Sequence, residues 1–359
     1  MFDTAKLLTD VFDPQPGERA LVLVDLPTPA AADNPQWRQR REMAADWRAA
    51  LEKIGAERGF EVLPLLTFPA TGANNADLPP RGSLGQEAVD LEPTLLGATL
   101  AIALTEFSAT APLAHLAEKK EDFRAASMPG VARSMEQTAL AADYKEVARR
   151  CRAIFDKMLG AELCDVTFST GHRCWFDLRF RRPEMDDGHL PRFKQGDRII
   201  NLPSGETFEV PYEGEREGIP SWTAGTIPVC EDGETVLFRV QANRVVSVDG
   251  DGPVAERYRT FFAEDPARAN VAELAFGVND RAQVTGIVLE DEKAGFHWAF
   301  GRSDHLGGVV GVDRFRSAAT VVHQDIVYAR DNPIRVERAT LRAPGRADED
   351  IILGGEYQL

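Results

Sequence analysis

The chain reads as an α/β N-terminal domain with a mostly parallel sheet, residues 1–160, followed by a β-rich α+β catalytic domain, residues 161–359. Three observations carry this expectation. Continuous apolar strands alternate with helices in the first part, short β-rich runs separated by turn signals fill the second, and the texture changes near Leu159 to Ala161. Residues 20–25 form an uninterrupted apolar run that ends at the Pro27 and Pro29 loop, and a charged, Ala-rich helix is expected over 37–58. Two further apolar runs, 60–66 and 99–104, supply strands of the same kind. Strands without polar alternation belong to sheets covered on both faces, which is the habit of parallel sheets. No GxGxxG follows the first strand, so dinucleotide binding has no support. Residues 144–159 predict one amphipathic helix with Val147, Cys151, Ile154, Phe155 and Met158 on its apolar stripe. Beyond it, strands are expected at 165–168, 175–180, 235–240 and 244–248, with a turn at Asp249-Gly250-Asp251-Gly252.

Composition narrows the function classes. A net charge of -16 over 359 residues argues against nucleic acid or an anionic membrane as partner, because both require a basic surface. Cys151, Cys164, Cys174 and Cys230 show no CxxC pairing, so neither a disulfide framework nor a zinc ribbon is expected. The N-terminus has no basic segment leading into an apolar core, and the apolar run 95–104 is too short to span a bilayer. The expected location is cytoplasmic.

Chemistry concentrates in the C-terminal half. In the strand-like run 321–328, His323 and Asp325 point to one face, flanked there by Val321 and Val327. Burying two such groups without partners is costly, and a metal ion is one partner that satisfies both. Three more segments carry similar groups: 201–208, where a Pro-Ser-Gly turn presents Glu206; 271–279, with Glu273 alone among apolar residues; and 289–301, where an acidic cluster precedes His297. Taken singly, Glu206 reads as a turn cap, Glu273 as an arginine partner and His297 as a hydrogen-bonded core histidine. Together they give a mixed oxygen and nitrogen donor set that zinc, cobalt or manganese accepts. Five protein ligands exceed one open tetrahedral site, and two metals sharing a carboxylate use them better. The His172 and Cys174 pair has no partners at zinc-site spacing and reads as a turn entering a strand, whereas Gly307-Gly308 marks a tight turn.

The succession Leu202-Pro203-Ser204-Gly205-Glu206, Ala272-Glu273-Leu274-Ala275-Phe276-Gly277-Val278-Asn279, Leu289-Glu290-Asp291-Glu292-Lys293 leading to His297-Trp298-Ala299-Phe300-Gly301, then Gly307-Gly308 and His323-Gln324-Asp325 resembles the thermophilic, aminopeptidase T-like metallo-aminopeptidases of leucyl aminopeptidase type. Ser127-Met128-Pro129-Gly130 in the N-terminal half is compatible with it. The resemblance implies a two-metal exopeptidase that removes N-terminal residues from short peptides and works as a homodimer. It implies Glu206, Glu273, His297, His323 and Asp325 as ligands of two divalent ions (zinc, cobalt or manganese). The chain departs from the family at one point: where the family has a metal-centre tyrosine, Asp304 or His305 stands here. A carboxylate must shuttle the proton in such chemistry, and Glu292 is the candidate, its plainer reading being a surface acid facing Lys293. Relatives of these aminopeptidases open dihydroxypyridine rings as mononuclear non-haem iron dioxygenases, and His297, His323 and Asp325 would supply the triad. A triad does not need Glu206 and Glu273, which favours two metals. A non-catalytic relative that keeps the fold is the third alternative.

Overall fold

The computed structural model describes residues 2–194, 196 and 198–359. Packing divides the chain into two compact units, and neither is one continuous stretch. The first comprises Met1–Ala148, Asp186–Gly205 and Asn279–Lys293; the second comprises Arg149–Met185, Glu206–Val278 and Ala294–Leu359. The first change of unit thus falls inside the helix Tyr144–Met158 rather than after it, and two later segments return to the first unit.

The first unit is built on a mixed sheet with a parallel centre. Strand Arg19–Leu26 pairs in parallel with Leu66–Pro69 on one side and Leu100–Ala103 on the other. Arg124–Ser127 and Ile199–Asn201 extend the parallel side, and the hairpin Arg81–Leu84 and Glu87–Asp90 adds antiparallel strands at the opposite edge. The single strand expected over 60–66 is split into Glu61–Val62 and Leu66–Pro69. Pro64 lies in the gap, where it has no N–H to give a ladder. Helix Pro35–Arg58 starts where the Asn34 side chain accepts the Trp37 N–H at 2.8 Å, and stops at Gly59 in the left-handed region. Its buried Met43, Ala44, Trp47, Leu51 and Ile54 share a core with Ala20, Val22 and Val24 of the central strand. Leu190, Ile200, Leu202 and Leu289 from the two returning segments complete that core. Burying side chains of this size stabilises by about 1.5–3 kcal/mol each, which holds a helix whose other face is largely charged.

The second unit contains two antiparallel sheets. One has eight strands in the order Arg244–Asp249, Glu234–Gln241, Ala224–Glu231, Arg173–Asp177, Leu163–Phe168, Val336–Arg342, Glu349–Leu353, Glu356–Tyr357. The strand expected at 175–180 ends at Asp177, and Phe180 turns away at φ +67°. In the other sheet, Glu206–Glu209, Val271–Gly277, Phe296–Gly301 and His323–Tyr328 pair in that order. One face of these four strands carries Phe276, Phe296, Trp298 and Tyr328 into an aromatic core with Phe168 and Phe238. Ring centroids there lie 5.1 Å apart for Phe168 and Tyr328 and 5.8 Å for Phe238 and Trp298. Strand alternation sends the odd-numbered Glu273, His297, His323 and Asp325, and Glu206 of the neighbouring strand, to the opposite face. Among the described residues no helix is long and apolar enough to cross a membrane.

Candidate metal centre

Cross-strand register decides how much room these five side chains have. Glu206 lies opposite Gly277, His297 opposite Ala275, His323 opposite Gly301, and both Glu273 and Asp325 opposite Ala299. Each of the five therefore has a glycine or alanine as one strand partner, and His297 has Val327 on its other side. Directly opposed Cβ atoms stand about 4.5–5.5 Å apart, so a larger partner would fill the space between the donors. Gly301 is fixed further by its backbone, at φ +109°, where a Cβ would collide with the Val322 carbonyl.

The donors form two groups, Glu206–Glu273–His297 and Glu273–His323–Asp325, whose ligand atoms lie within 4.8 Å of one another in each. His297 Nε2 is 3.3 Å from Glu206 Oε2 and 3.7 Å from Glu273 Oε1. His323 Nε2 is 3.0 Å from Glu273 Oε2 and 3.5 Å from Asp325 Oδ1. The two oxygens of Glu273 thus face different imidazoles. Backbone carbonyls set both rings: His297 Nδ1 donates to Gly295 O at 3.2 Å and His323 Nδ1 to Arg302 O at 2.7 Å. A carbonyl only accepts, so each Nε2 is the nitrogen left facing the carboxylates. Second partners of this kind are what orient metal-binding histidines.

Electrostatics around the cluster is strongly coupled. Burial opposes ionisation of His297, yet Glu206 and Glu273 push it well above the ordinary imidazole value. Burial likewise opposes ionisation of His323, which Asp325 and Glu273 raise. Glu273 would be raised by burial, but the two imidazoles hold it well below the usual carboxylate range. His297 Nε2 and Asp325 Oδ1 are buried and make no hydrogen bond of acceptable geometry. Buried nitrogen and oxygen atoms in that condition, converging with a shared carboxylate, fit a divalent cation. Donors about 2.1 Å from a tetrahedral ion stand about 3.4 Å apart, close to the spacings within each group.

All five ligand candidates from the sequence are therefore brought together. The triad His297–His323–Asp325 is not gathered as one set: the group around His323 and Asp325 is completed by Glu273. Asp304, one of the two residues expected in place of a tyrosine, is tied to Arg302, with Nη2 3.2 Å from Oδ2. The His305 ring stands edge-on to His323 at 4.9 Å. Glu292 belongs to the first unit, in a short turn where Lys293 Nζ donates to its carboxylate at 2.7 Å. A cavity of about 980 Å³ opens in the first unit, lined by Phe2, Asp10, Arg133 and Arg281 among others and by none of the five. The convergent donors, not the size of that cavity, mark the candidate site. Sequence reading passed over Glu213, a buried acid whose partners are distant in sequence and which no local pattern announces.

Fold and site together define an α+β protein with a histidine–carboxylate cluster suited to divalent cations. Solved structures share the fold, among them two enzymes. Wild-type AmpT from Thermus thermophilus superposes with a TM-score of 0.58 at 13% identity, covering 99% of this chain and 98% of its own. The 2,5-dihydroxypyridine dioxygenase from Pseudomonas putida KT2440 gives 0.64 at 14% identity, covering 99% and 96%. No protein-family profile matches the chain, and no curated protein sequence does.

Proposed function

We propose that the protein is a metal-dependent aminopeptidase that removes N-terminal residues from short peptides through a two-metal centre. The observation that carries this reading is the shared Glu273, whose carboxylate oxygens belong to two separate donor groups. Glu206 and His297 would hold one ion, His323 and Asp325 the other, and Glu273 both. When bound, paired divalent ions activate water at neutral pH and polarise a carbonyl. The chain's own part is orientation and proton transfer. The Gly295 and Arg302 carbonyls hold the two imidazoles in register. Glu292, whose carboxylate accepts from Lys293 Nζ, is the proposed proton carrier for the departing amine. The fold likeness to AmpT supports the hydrolase reading. A cytoplasmic homodimer is the proposed working form; sedimentation showing only monomer at micromolar concentration would exclude the dimer.

Metal analysis and turnover test the proposal together. Purified protein loaded with cobalt or zinc should hold close to two equivalents and release free amino acids from short peptides. A second reading, a mononuclear iron ring-cleaving dioxygenase using His297, His323 and Asp325, draws on the fold likeness to the dihydroxypyridine enzyme. One equivalent of iron(II), oxygen uptake with an aromatic diol and no peptide hydrolysis would establish it in place of the first. If Glu206→Ala and His323→Ala both bind metal as the unchanged protein does, neither enzyme reading survives and a non-catalytic relative is left.

A further inference from the structure

We infer that Glu213 is a positioning residue for the His323 half of the centre, acting through the loop 303–310; this rests on the two-metal reading above. The Glu213 side chain is only 3% exposed, and it gathers donors from four places in the second unit. Its Oε1 accepts from Asn270 Nδ2 at 2.7 Å and Ser303 Oγ at 2.6 Å, and its Oε2 from the Val309 N–H at 2.6 Å and Arg181 Nη2 at 3.3 Å. Such charge-assisted bonds are roughly twice as strong as neutral ones, and a buried carboxylate with this many donors is firmly placed.

What those donors hold is the informative part. Asn270 Nδ2 also donates to the Gly301 carbonyl at 3.0 Å, at the end of the His297 strand. Ser303 is tied directly, and its Oγ accepts the Val310 N–H at 3.2 Å. Arg302 lies between these two anchors. Its N–H donates to Val322 O at 2.7 Å, and its carbonyl is the group that fixes the His323 ring. The same loop carries His305, whose ring meets His323 edge-on. A Cβ at Gly308 would strike Ser303 and come within 2.9 Å of Glu213, so the loop has closed onto the carboxylate as tightly as glycine allows. Glu213 therefore clamps the peptide that aims His323 Nε2 at Glu273 and Asp325.

The test is a cobalt titration of metal-free wild type, Glu213→Gln and Ser303→Ala, followed by visible absorption, with amide exchange measured over 302–310. Gln places an amide NH2 toward the Val309 N–H and Arg181, so the clamp opens at Oε2; Ser303→Ala removes one tie with less risk to folding. In Glu213→Gln one cobalt equivalent should weaken by about tenfold or more, as loss of an orienting partner does, while the other stays within about twofold. Exchange should accelerate at 302–310 and not in Val271–Gly277, and Ser303→Ala should act in the same direction. Unchanged titrations in both variants, or equal weakening of both equivalents with faster exchange throughout, would overturn the inference. Wild type that binds a single equivalent refutes the two-metal reading alone, and the shift in that equivalent then decides the role of Glu213. Wild type that binds none refutes both.

Discussion

Replacing Glu273 by Gln keeps the shape of the side chain and removes the negative charge that both donor groups use. A ligand present at about a hundred times its Kd stabilises the folded state by about 2.7 kcal/mol, so two filled sites contribute about 5 kcal/mol. Unfolding entropy of about 2.1 cal/mol/K per residue over 359 residues converts that into a rise of about 7 °C in melting temperature. Glu206 belongs to one group only, so Glu206→Gln should keep about half of the rise, whereas Glu273→Gln should lose nearly all of it. Differential scanning calorimetry of chelator-treated protein, with and without added cobalt, reads both numbers. If the second unit melts separately the absolute shifts grow, but their ratio is preserved. Equal loss in the two variants, or a full rise in Glu273→Gln, would show that Glu273 is not shared.

The pH response has a definite sign. His297 and His323 are raised, so their contribution to metal-free stability is complete below about pH 6.5 and is lost as pH climbs through their higher values. Glu273 is lowered, so its contribution is present above about pH 4.5 and fades as pH falls toward its lower value. Metal must displace the imidazolium protons, so cobalt affinity should rise over the range in which metal-free stability declines. Calorimetric titration in buffers of different ionisation heat should show protons released on cobalt binding at about pH 6, where both imidazoles are charged; no release there would contradict the coupling. Ala299→Leu should block cobalt uptake while costing about 1–3 kcal/mol of stability, measured by urea unfolding. In the first unit, Arg124 Nη2 meets Glu18 Oε2 at 2.9 Å with both side chains buried. Glu18→Ala should destabilise by about 3–5 kcal/mol, and a loss under about 1 kcal/mol would mean that solvent reaches the arginine.

Much of the site was legible because its donors are buried polar residues on strands, where period-two alternation assigns faces without any tertiary knowledge. His323 and Asp325 were placed together on that ground alone, and their strand is observed at His323–Tyr328. The helix expected at 37–58 is found at Pro35–Arg58, its start moved by a cap that the Asn34-Pro35 pair encodes. What was hidden is whatever register decides. That Ala299 rather than a bulky residue faces Glu273 and Asp325 depends on which strands pair, and that Glu273 rather than His297 completes the His323 group depends on the same thing. Glu213 was hidden for a related reason: its partners Asn270, Ser303 and Val309 lie 57, 90 and 96 residues away.

The interleaving of the two units constrains how the polypeptide is made. Leu190, Ile200, Leu202 and Leu289 all belong to the core around the central parallel strand, so that core is unfinished until the last of them has left the ribosome. An exposed apolar surface must wait through most of translation, and no single cut in the chain separates one unit from the other. Late closure of this core is thus written into the order of segments along the chain.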